Sequence, residues 1–187
     1  MYIKLGIAKW LQIALAITSC GMLVDATEQY ILRSELNDPQ IKIVGDVTNA
    51  LERGAPPAQV VPRYVFDAEK SLSPFIAVYD ATGTPLESSA SIGDVPPKPP
   101  IGVFEYAKSH RENRVTWQPN KDTRIALVIR PVLTDKGWFV ESGRNMKEVE
   151  GRIKHVGLIV FLGTLCALLT TLALELFGAY RHALTKI

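Results

Sequence analysis

The chain has 187 residues with a formal net charge of +2, and 47% of its residues are hydrophobic. This length is typical of one globular domain rather than two. The small net charge, without a concentrated basic run, argues against a phosphate-binding surface, so we expect no nucleic-acid partner. The hydrophobic residues are concentrated in two long runs at the ends of the chain, around a polar middle region. This distribution predicts a membrane protein.

The first apolar run predicts an amino-terminal transmembrane helix over residues 1–24. Trp10 to Val24 contains no charged residue, and the run reaches about 20 residues when it is extended back to Leu5 with the Lys9 ammonium at the interface. Basic side chains precede the run and acidic side chains follow it. The positive-inside rule therefore predicts a cytoplasmic amino terminus.

Two other interpretations of the first run stay open, namely a cleaved signal peptide and a lipoprotein signal lipidated at Cys20. The stretch Ile17 to Cys20 resembles a bacterial lipoprotein cleavage box, but the apolar run continues through Met22 to Val24, where a lipoprotein usually turns polar. Each interpretation places the middle domain outside the cytoplasm. The other cysteine, Cys166, lies in the second apolar run, so we expect no disulfide within the middle domain.

The second apolar run predicts a transmembrane helix over residues 154–180. Val156 to Leu174 contains no charged residue, and about 19 residues at ~1.5 Å each span the roughly 30 Å hydrocarbon core. Glu175 then lies at the interface, the alternative being a functional intramembrane acid. Two spans return the carboxyl-terminal tail, residues 181–187, to the cytoplasm and leave an extracytoplasmic domain over residues 25–153.

Helical patterns precede a predicted sheet in this domain. The first span continues outward, a second helix begins at Asp38-Pro39 and ends at Gly54, and a third helical stretch lies between Pro56 and Ser71 with an interruption around Pro62. At Phe75 the apolar period changes to that of a strand. The sequence FIAVYDATGTPLESS predicts a hairpin whose first strand is covered on both faces.

The rest of the domain predicts one helix and three strands. The proline-rich segment 96–100 predicts a stiff extended connection, and a helix follows over IGVFEYAKSH. Strands are predicted at residues 114–118, 123–132 and 138–142. The last strand runs almost directly into the second apolar helix, where Asn145 and Glu148 form a pair like a capping box. No flexible linker is expected between the sheet and the membrane.

These segments resemble the extracytoplasmic PAS-like sensor domains of the Cache type, which lie between two membrane spans in bacterial histidine kinases and chemoreceptors. The resemblance rests on FIAVYDATGTPLESS as the first hairpin, TRIALVIRPV as a long central strand, and GWFVESGRNMKEVEGRI as the final strand and exit helix. It implies an α+β fold with an antiparallel five-stranded sheet, long amino-terminal helices, and a transmembrane helix on each side. It also implies a bacterial cell-membrane location.

The resemblance implies a sensor that binds a small ligand or a partner and relays the event through its helices. Family members continue into kinase or methyl-accepting domains, whereas only residues 181–187 follow the second span here, so we expect a separate signalling partner to read the output. Small residues such as Gly157 and Gly163 could allow the second spans of a homodimer to pack closely. The alternative function is an interaction or assembly module of a membrane complex.

Four residues are candidates for a ligand pocket on one face of the sheet. Arg124 and Arg130 lie on one row of the 123–132 strand, and guanidinium groups could bind a carboxylate or phosphate. Trp117 and Tyr106 could provide aromatic walls. The alternative is that the arginines are solvated residues at strand ends and that the aromatic residues belong to the core or its rim.

The sequence contains no pattern typical of an enzyme or of a metal site. A phosphate-binding glycine loop, a serine nucleophile elbow and a cysteine outside the apolar runs are all missing. The three histidines have no partner at ligand spacing. We therefore expect neither catalysis nor a cofactor.

Overall fold

The computed structural model describes the backbone of residues 2–35 and 38–184 and the side chains of residues 9–32, 34 and 38–181. Helix α1 spans Tyr2–Glu35 and helix α5 spans Lys147–Leu184. The chain divides into two compact units: a helical unit that contains α1 up to Ile31 and α5 from Gly151, and a domain over Leu32–Glu150. Each unit is described by itself below.

In the helical unit, both predicted apolar helices are confirmed. Lys9–Leu32 and Lys147–Arg181 are long and apolar enough to cross a membrane. Gly21 allows a close approach of the two helices, because a Cβ atom at this position would lie 2.6 Å from Thr164 Oγ1. The Trp10 indole Nε1 donates a hydrogen bond of 3.2 Å to Thr171 Oγ1, which places a polar contact between two apolar surfaces.

The domain begins with an amphipathic helix, α2, over Asp38–Glu52. One face of α2 is buried and includes Val44, Val47 and Leu51, as the helical spacing predicts. The helix stops at Gly54, whose φ of 93° suits a residue without a Cβ atom.

The predicted third helix is wrong beyond its first turn. Helix α3 covers only Pro57–Val60, and the chain then forms strand β1 at Phe66–Asp67. Pro62 has no backbone N–H to continue the helix, which explains the early end of α3. Strand β1 pairs in parallel with the equally short β4 at Ala90–Ser91.

Five antiparallel strands form the main sheet, as the sequence predicts. They are β2 (Phe75–Tyr79), β3 (Pro85–Ser88), β5 (Asn113–Asn120), β6 (Thr123–Pro131) and β7 (Phe139–Asn145). Their order is β3-β2-β7-β6-β5. The central strand is therefore β7, the last in sequence, and not the longer β6 that the sequence suggested. Strand β7 pairs with β2 on one side and β6 on the other.

The FIAVYDATGTPLESS hairpin is formed by β2, a tight turn and β3. Asp80 Oδ1 organises the turn by accepting hydrogen bonds from the Thr82 and Thr84 backbone N–H groups at 2.8 and 2.9 Å. Gly83 follows with a φ of 76° and packs against the Phe104 ring. Its lack of a Cβ atom serves both the turn and this contact.

Helices cover both faces of the sheet. On one face, α2 packs on alternate residues of the central strands, including Val78, Val128 and Val140. On the other face, helix α4 (Ile101–His110) packs on the intervening residues. The sheet is thus the middle layer of three, which is why FIAVY is apolar on both of its faces. The segment 96–100 has no regular secondary structure, as expected, and its Pro97 and Pro99 are buried.

Candidate functional site

The four residues predicted to line a pocket lie in three different places, two on opposite faces of the sheet and one on the outer side of α4. Arg124 and Arg130 belong to the row of β6 that includes Val128 and faces α2. Trp117 packs against the apolar cluster on the α4 face. The structure therefore does not bring the arginines and the aromatic side chains together around one ligand.

Both arginines have carboxylate partners inside the domain. Arg124 Nη1 lies 2.8 Å from Glu150 Oε1. Glu112 accepts a hydrogen bond from Arg130 Nε at 2.5 Å and another from Arg114 Nε at 2.6 Å. Burial raises the pKa of Glu112, but the hydrogen bonds from Arg114 and Arg130 outweigh burial and leave this pKa below its usual range. The arginines thus form internal ion pairs rather than being solvated alone.

Tyr106 lies on the outer side of α4, away from the sheet. Its side chain is 50% exposed, and its ring stacks on that of His110 with a centroid distance of 4.0 Å. The buried residues of the same helix are Phe104 and Ala107. Tyr106 therefore cannot form the wall of a pocket between α4 and the sheet in this arrangement.

A buried carboxyl group, which the sequence analysis did not identify, lies at the centre of the sheet. Glu141 is fully buried, and it pairs with Ala77 of β2 and Ile129 of β6. Its side chain points into the apolar cluster on the α4 face, because Phe139 on the same row of β7 belongs to that cluster. An acidic side chain in this position is unusual, since burial strongly disfavours its ionised form.

Tyr79 connects Glu141 to the proline-rich segment. The Tyr79 hydroxyl lies 2.8 Å from the Pro97 carbonyl oxygen and 3.2 Å from Glu141 Oε1. The other carboxyl oxygen, Oε2, is buried and has no hydrogen-bond partner among the described residues. The three groups form a short polar chain that runs from β7 through β2 to residue 97.

Aromatic rings close this site on the side of α4. The Phe104 ring lies 4.9 Å from the Tyr79 ring and 5.3 Å from the Phe139 ring, measured between centroids. This apolar enclosure explains why burial raises the pKa of Glu141 to about 8, an effect that the Tyr79 hydrogen bond only partly opposes. Burial likewise raises the pKa of Tyr79 well above its usual range, and the nearby Glu141 adds to the rise.

Sequence patterns gave little sign of this site. A glutamate in the stretch FVESGRN is ordinarily expected to face solvent. The one available signal was the alternation of β7, which places Glu141 on the same row as Phe139 and Gly143. That signal becomes informative only when β7 is known to be the central strand, a fact that depends on long-range pairing.

The end of β7 is joined tightly to the start of α5. Asn145 Nδ2 donates hydrogen bonds of 3.0 Å to the carbonyl oxygens of Ala68 and Glu69, and its Oδ1 accepts one of 2.9 Å from the Lys147 N–H. The predicted role of Asn145 at the beginning of α5 is thus supported by a direct contact. Ion pairs from Arg144 to Glu148 and from Arg124 to Glu150 add two further connections.

Comparisons with known proteins do not assign this site. The sequence matches no protein-family model, and it has no significant match among curated proteins. Among the described side chains of residues 9–32, 34 and 38–181, no group of three or more histidine, cysteine, aspartate or glutamate residues is placed to hold a metal ion. The function must therefore be inferred from the geometry of the domain.

Proposed function

We propose that this chain is a membrane-anchored, sensor-like protein whose PAS/Cache-like domain binds a small ligand or a partner outside the cytoplasm. The domain passes the resulting change through its helices to a separate output protein. Support comes from the five-stranded antiparallel sheet, from the helices on both faces of that sheet, and from its position in the chain between two helices able to cross a membrane.

The observation that carries this proposal is the direct passage from β7 into α5. Met146 is the single residue between the end of the central strand at Asn145 and the first helical residue, Lys147. The Met146 N–H donates to the Arg124 carbonyl oxygen at 2.8 Å, so this junction is itself bonded to β6. A displacement of the central strand then moves the first turn of the helix that includes the second candidate span.

An interaction module for a membrane complex is the second candidate. It is favoured by the filling of both sheet faces with side chains, since many of the core residues on the two faces are fully buried. It is also favoured by the exposure of the apolar residues Tyr64 and Val65, which are 77% and 53% exposed. Exposed apolar groups of this kind are typical of contact surfaces when they are contiguous.

A ligand screen on the full chain in lipid nanodiscs tests the sensor proposal. Thermal unfolding is followed by tryptophan fluorescence while amino acids, organic acids, purines and phosphates are added. A compound at about 100 times its Kd stabilises the folded state by ~2.7 kcal/mol, so we expect Tm to rise by several degrees for one compound class. Amide hydrogen exchange is then measured in the first turns of α5 with and without that compound, and we expect it to change.

A proline insertion between Glu150 and Gly151 provides the matched control. It leaves the contacts of Lys147 to Glu150 with the sheet in place but interrupts α5, because proline has no backbone N–H and its ring clashes with the preceding turn. We expect this variant to keep the rise in Tm and to lose the change in exchange beyond the insertion. A compound that raises Tm without altering exchange in α5 contradicts the relay. A folded domain that ignores the whole library contradicts the small-ligand sensor and favours the interaction module.

A further inference from the structure

We propose that Glu141, Tyr79 and the Pro97 carbonyl form a proton-operated latch, in which the protonated carboxyl holds the proline-rich segment on the sheet and its ionisation releases that segment. The latch is a property of the Leu32–Glu150 domain. Its use as a signal input rests on the proposed function, because the output would pass through α5.

The single proton of the Tyr79 hydroxyl cannot serve both of its contacts at once, so both become full hydrogen bonds only when Glu141 is protonated. The Tyr79 hydroxyl carries one proton, and the Pro97 carbonyl can only accept. When Tyr79 donates to Pro97, at 2.8 Å, the contact of 3.2 Å between the Tyr79 oxygen and Glu141 Oε1 is a hydrogen bond only if the carboxyl donates. The protonated form thus gives each of the three groups a hydrogen bond in one chain, from Glu141 to Tyr79 to Pro97, while Glu141 Oε2 stays without a partner among the described residues.

When Glu141 loses its proton, the Tyr79 hydroxyl donates its hydrogen bond to a different acceptor. The proton leaves Glu141 for water, and the Tyr79 O–H then turns from the neutral Pro97 carbonyl to the negative carboxylate, the stronger acceptor. The Pro97 carbonyl is left buried without its donor, a state that is unfavourable by about 1–3 kcal/mol for a group of this kind. Release of the proline-rich segment allows water to reach that carbonyl.

Among the described side chains, none brings a positive charge to Glu141 that would stabilise its ionised form. Tyr79 is the titratable side chain that contacts it within the described part of the chain. The elements packed on this face contribute apolar residues, which include Ala77 from β2, Leu127 and Ile129 from β6, Phe139 from β7, and Phe104 and Ala107 from α4. The charged and titratable residues of α4 and of the proline-rich segment are all exposed, namely Lys98, Glu105, Tyr106, Lys108 and His110.

The latch is connected at both ends to elements that can move. Pro97 lies three residues before Pro100, the residue at the N-cap position of α4, so release of the segment frees the beginning of the helix that covers the site. Glu141 lies on β7, four residues before Asn145 and the junction with α5. The protonation state of Glu141 therefore affects both α4, which covers this face of the sheet, and the central strand β7.

Spin labelling of the segment tests the latch in the full chain. In a nanodisc-embedded protein with Cys20→Ser and Cys166→Ser, a nitroxide is attached at Lys98→Cys, and its mobility is recorded from pH 5 to pH 9. The ratio of ionised to protonated carboxyl rises about tenfold per pH unit. We expect the mobile fraction of the label to rise along that curve with a midpoint near the Glu141 pKa of about 8.

Three matched variants give the controls. Glu141→Gln keeps a donor to Tyr79 at every pH, so its label at position 98 should stay immobile throughout. Tyr79→Phe removes the connection, so the label should be mobile at every pH. A label at Lys121→Cys, on the exposed turn between β5 and β6, should not respond to pH.

Infrared spectroscopy provides a readout that does not depend on the label or on correct folding of the variants. The wild-type protein should show the carbonyl band of a protonated carboxylic acid at pH 6 that disappears by pH 9. Absence of that band, or a label at position 98 whose mobility stays constant while the band titrates, overturns the latch. A latch that titrates as expected while hydrogen exchange in α5 stays constant leaves the latch standing and overturns only the relay of the proposed function.

Discussion

At the scale of single residues, burial and charge are in direct conflict at Glu141. Its side chain is fully buried, and its pKa is raised by that burial from the ordinary 4.5 to about 8. In an unfolded chain the same carboxyl is solvated and titrates near its ordinary value. Over the wide pH range between these two pKa values, Glu141 is therefore protonated in the folded state and ionised in the unfolded state.

This difference predicts how the stability of the domain depends on pH. Below about pH 4.5 both states hold the proton, and between 4.5 and about 8 only the folded state holds it. The free energy of unfolding should thus fall by up to about 1.4 kcal/mol per pH unit within that window and then level off. The contribution is fully present at low pH and is lost as the pH approaches 8. Urea unfolding at several pH values measures it.

A pair of glutamate variants tests whether Glu141 causes this dependence of the free energy of unfolding on pH. In Glu141→Gln the buried group no longer titrates, and the decrease of stability between pH 5 and pH 8 should become much smaller. Glu105→Gln removes a carboxyl from the exposed side of α4 and should leave the slope as it is in the wild type. Equal slopes in Glu141→Gln and in the wild type would contradict the assignment.

At the scale of secondary-structure elements, the packing between β2, β7 and β6 depends on a glycine. A Cβ atom at Gly143 would lie 2.7 Å from Leu127 Cδ2 and closer still to the Phe75 ring. Both neighbours are fully buried core residues from the flanking strands. The central strand can therefore hold its two neighbours at this distance only without a side chain at position 143.

Gly143→Ala should destabilise the domain by about 1–3 kcal/mol, the range typical of an overpacked core. Gly102→Ala is the matched control, because this position lies in α4 and has open space around its Cβ direction. The control should be neutral or stabilising by up to about 1 kcal/mol, since alanine favours a helix. Denaturant midpoints of the two variants compare the effects, and equal midpoints would contradict the packing argument.

Local patterns predicted most of the elements because their signals lie within a few residues. The β2–β3 hairpin has an apolar run, an aspartate and a glycine in the places where the structure uses them. The prediction of the third helix is wrong beyond Val60, because a proline interrupts the helix there. The β1–β4 pair is too short for a sequence pattern to indicate it. The position of β7 and the burial of Glu141 depend on pairing between distant strands, which a periodic pattern does not contain.

At the scale of the whole molecule, the arrangement of the apolar helices predicts the orientation in the membrane. Along the chain, the domain comes after one helix that is able to cross a membrane and before another, and basic residues precede the first of them. By the positive-inside rule we expect both termini in the cytoplasm and the domain on the opposite side.

Cysteine labelling in intact bacterial cells tests this topology. In a chain with Cys20→Ser and Cys166→Ser, a membrane-impermeant maleimide should label Lys121→Cys without permeabilisation. The control Arg181→Cys, at the far end of α5, should be labelled only after permeabilisation. The reverse result would place the domain in the cytoplasm and would contradict the predicted orientation.

The strand order also determines when the domain can assemble during synthesis. The β2–β3 and β5–β6 hairpins are made early, but neither pairs with the other until β7 is inserted between them. The sheet can therefore be completed only after residue 145 has been synthesised, and α5 follows immediately in the chain. Completion of the sheet and synthesis of the second apolar helix are therefore consecutive steps in the production of one molecule.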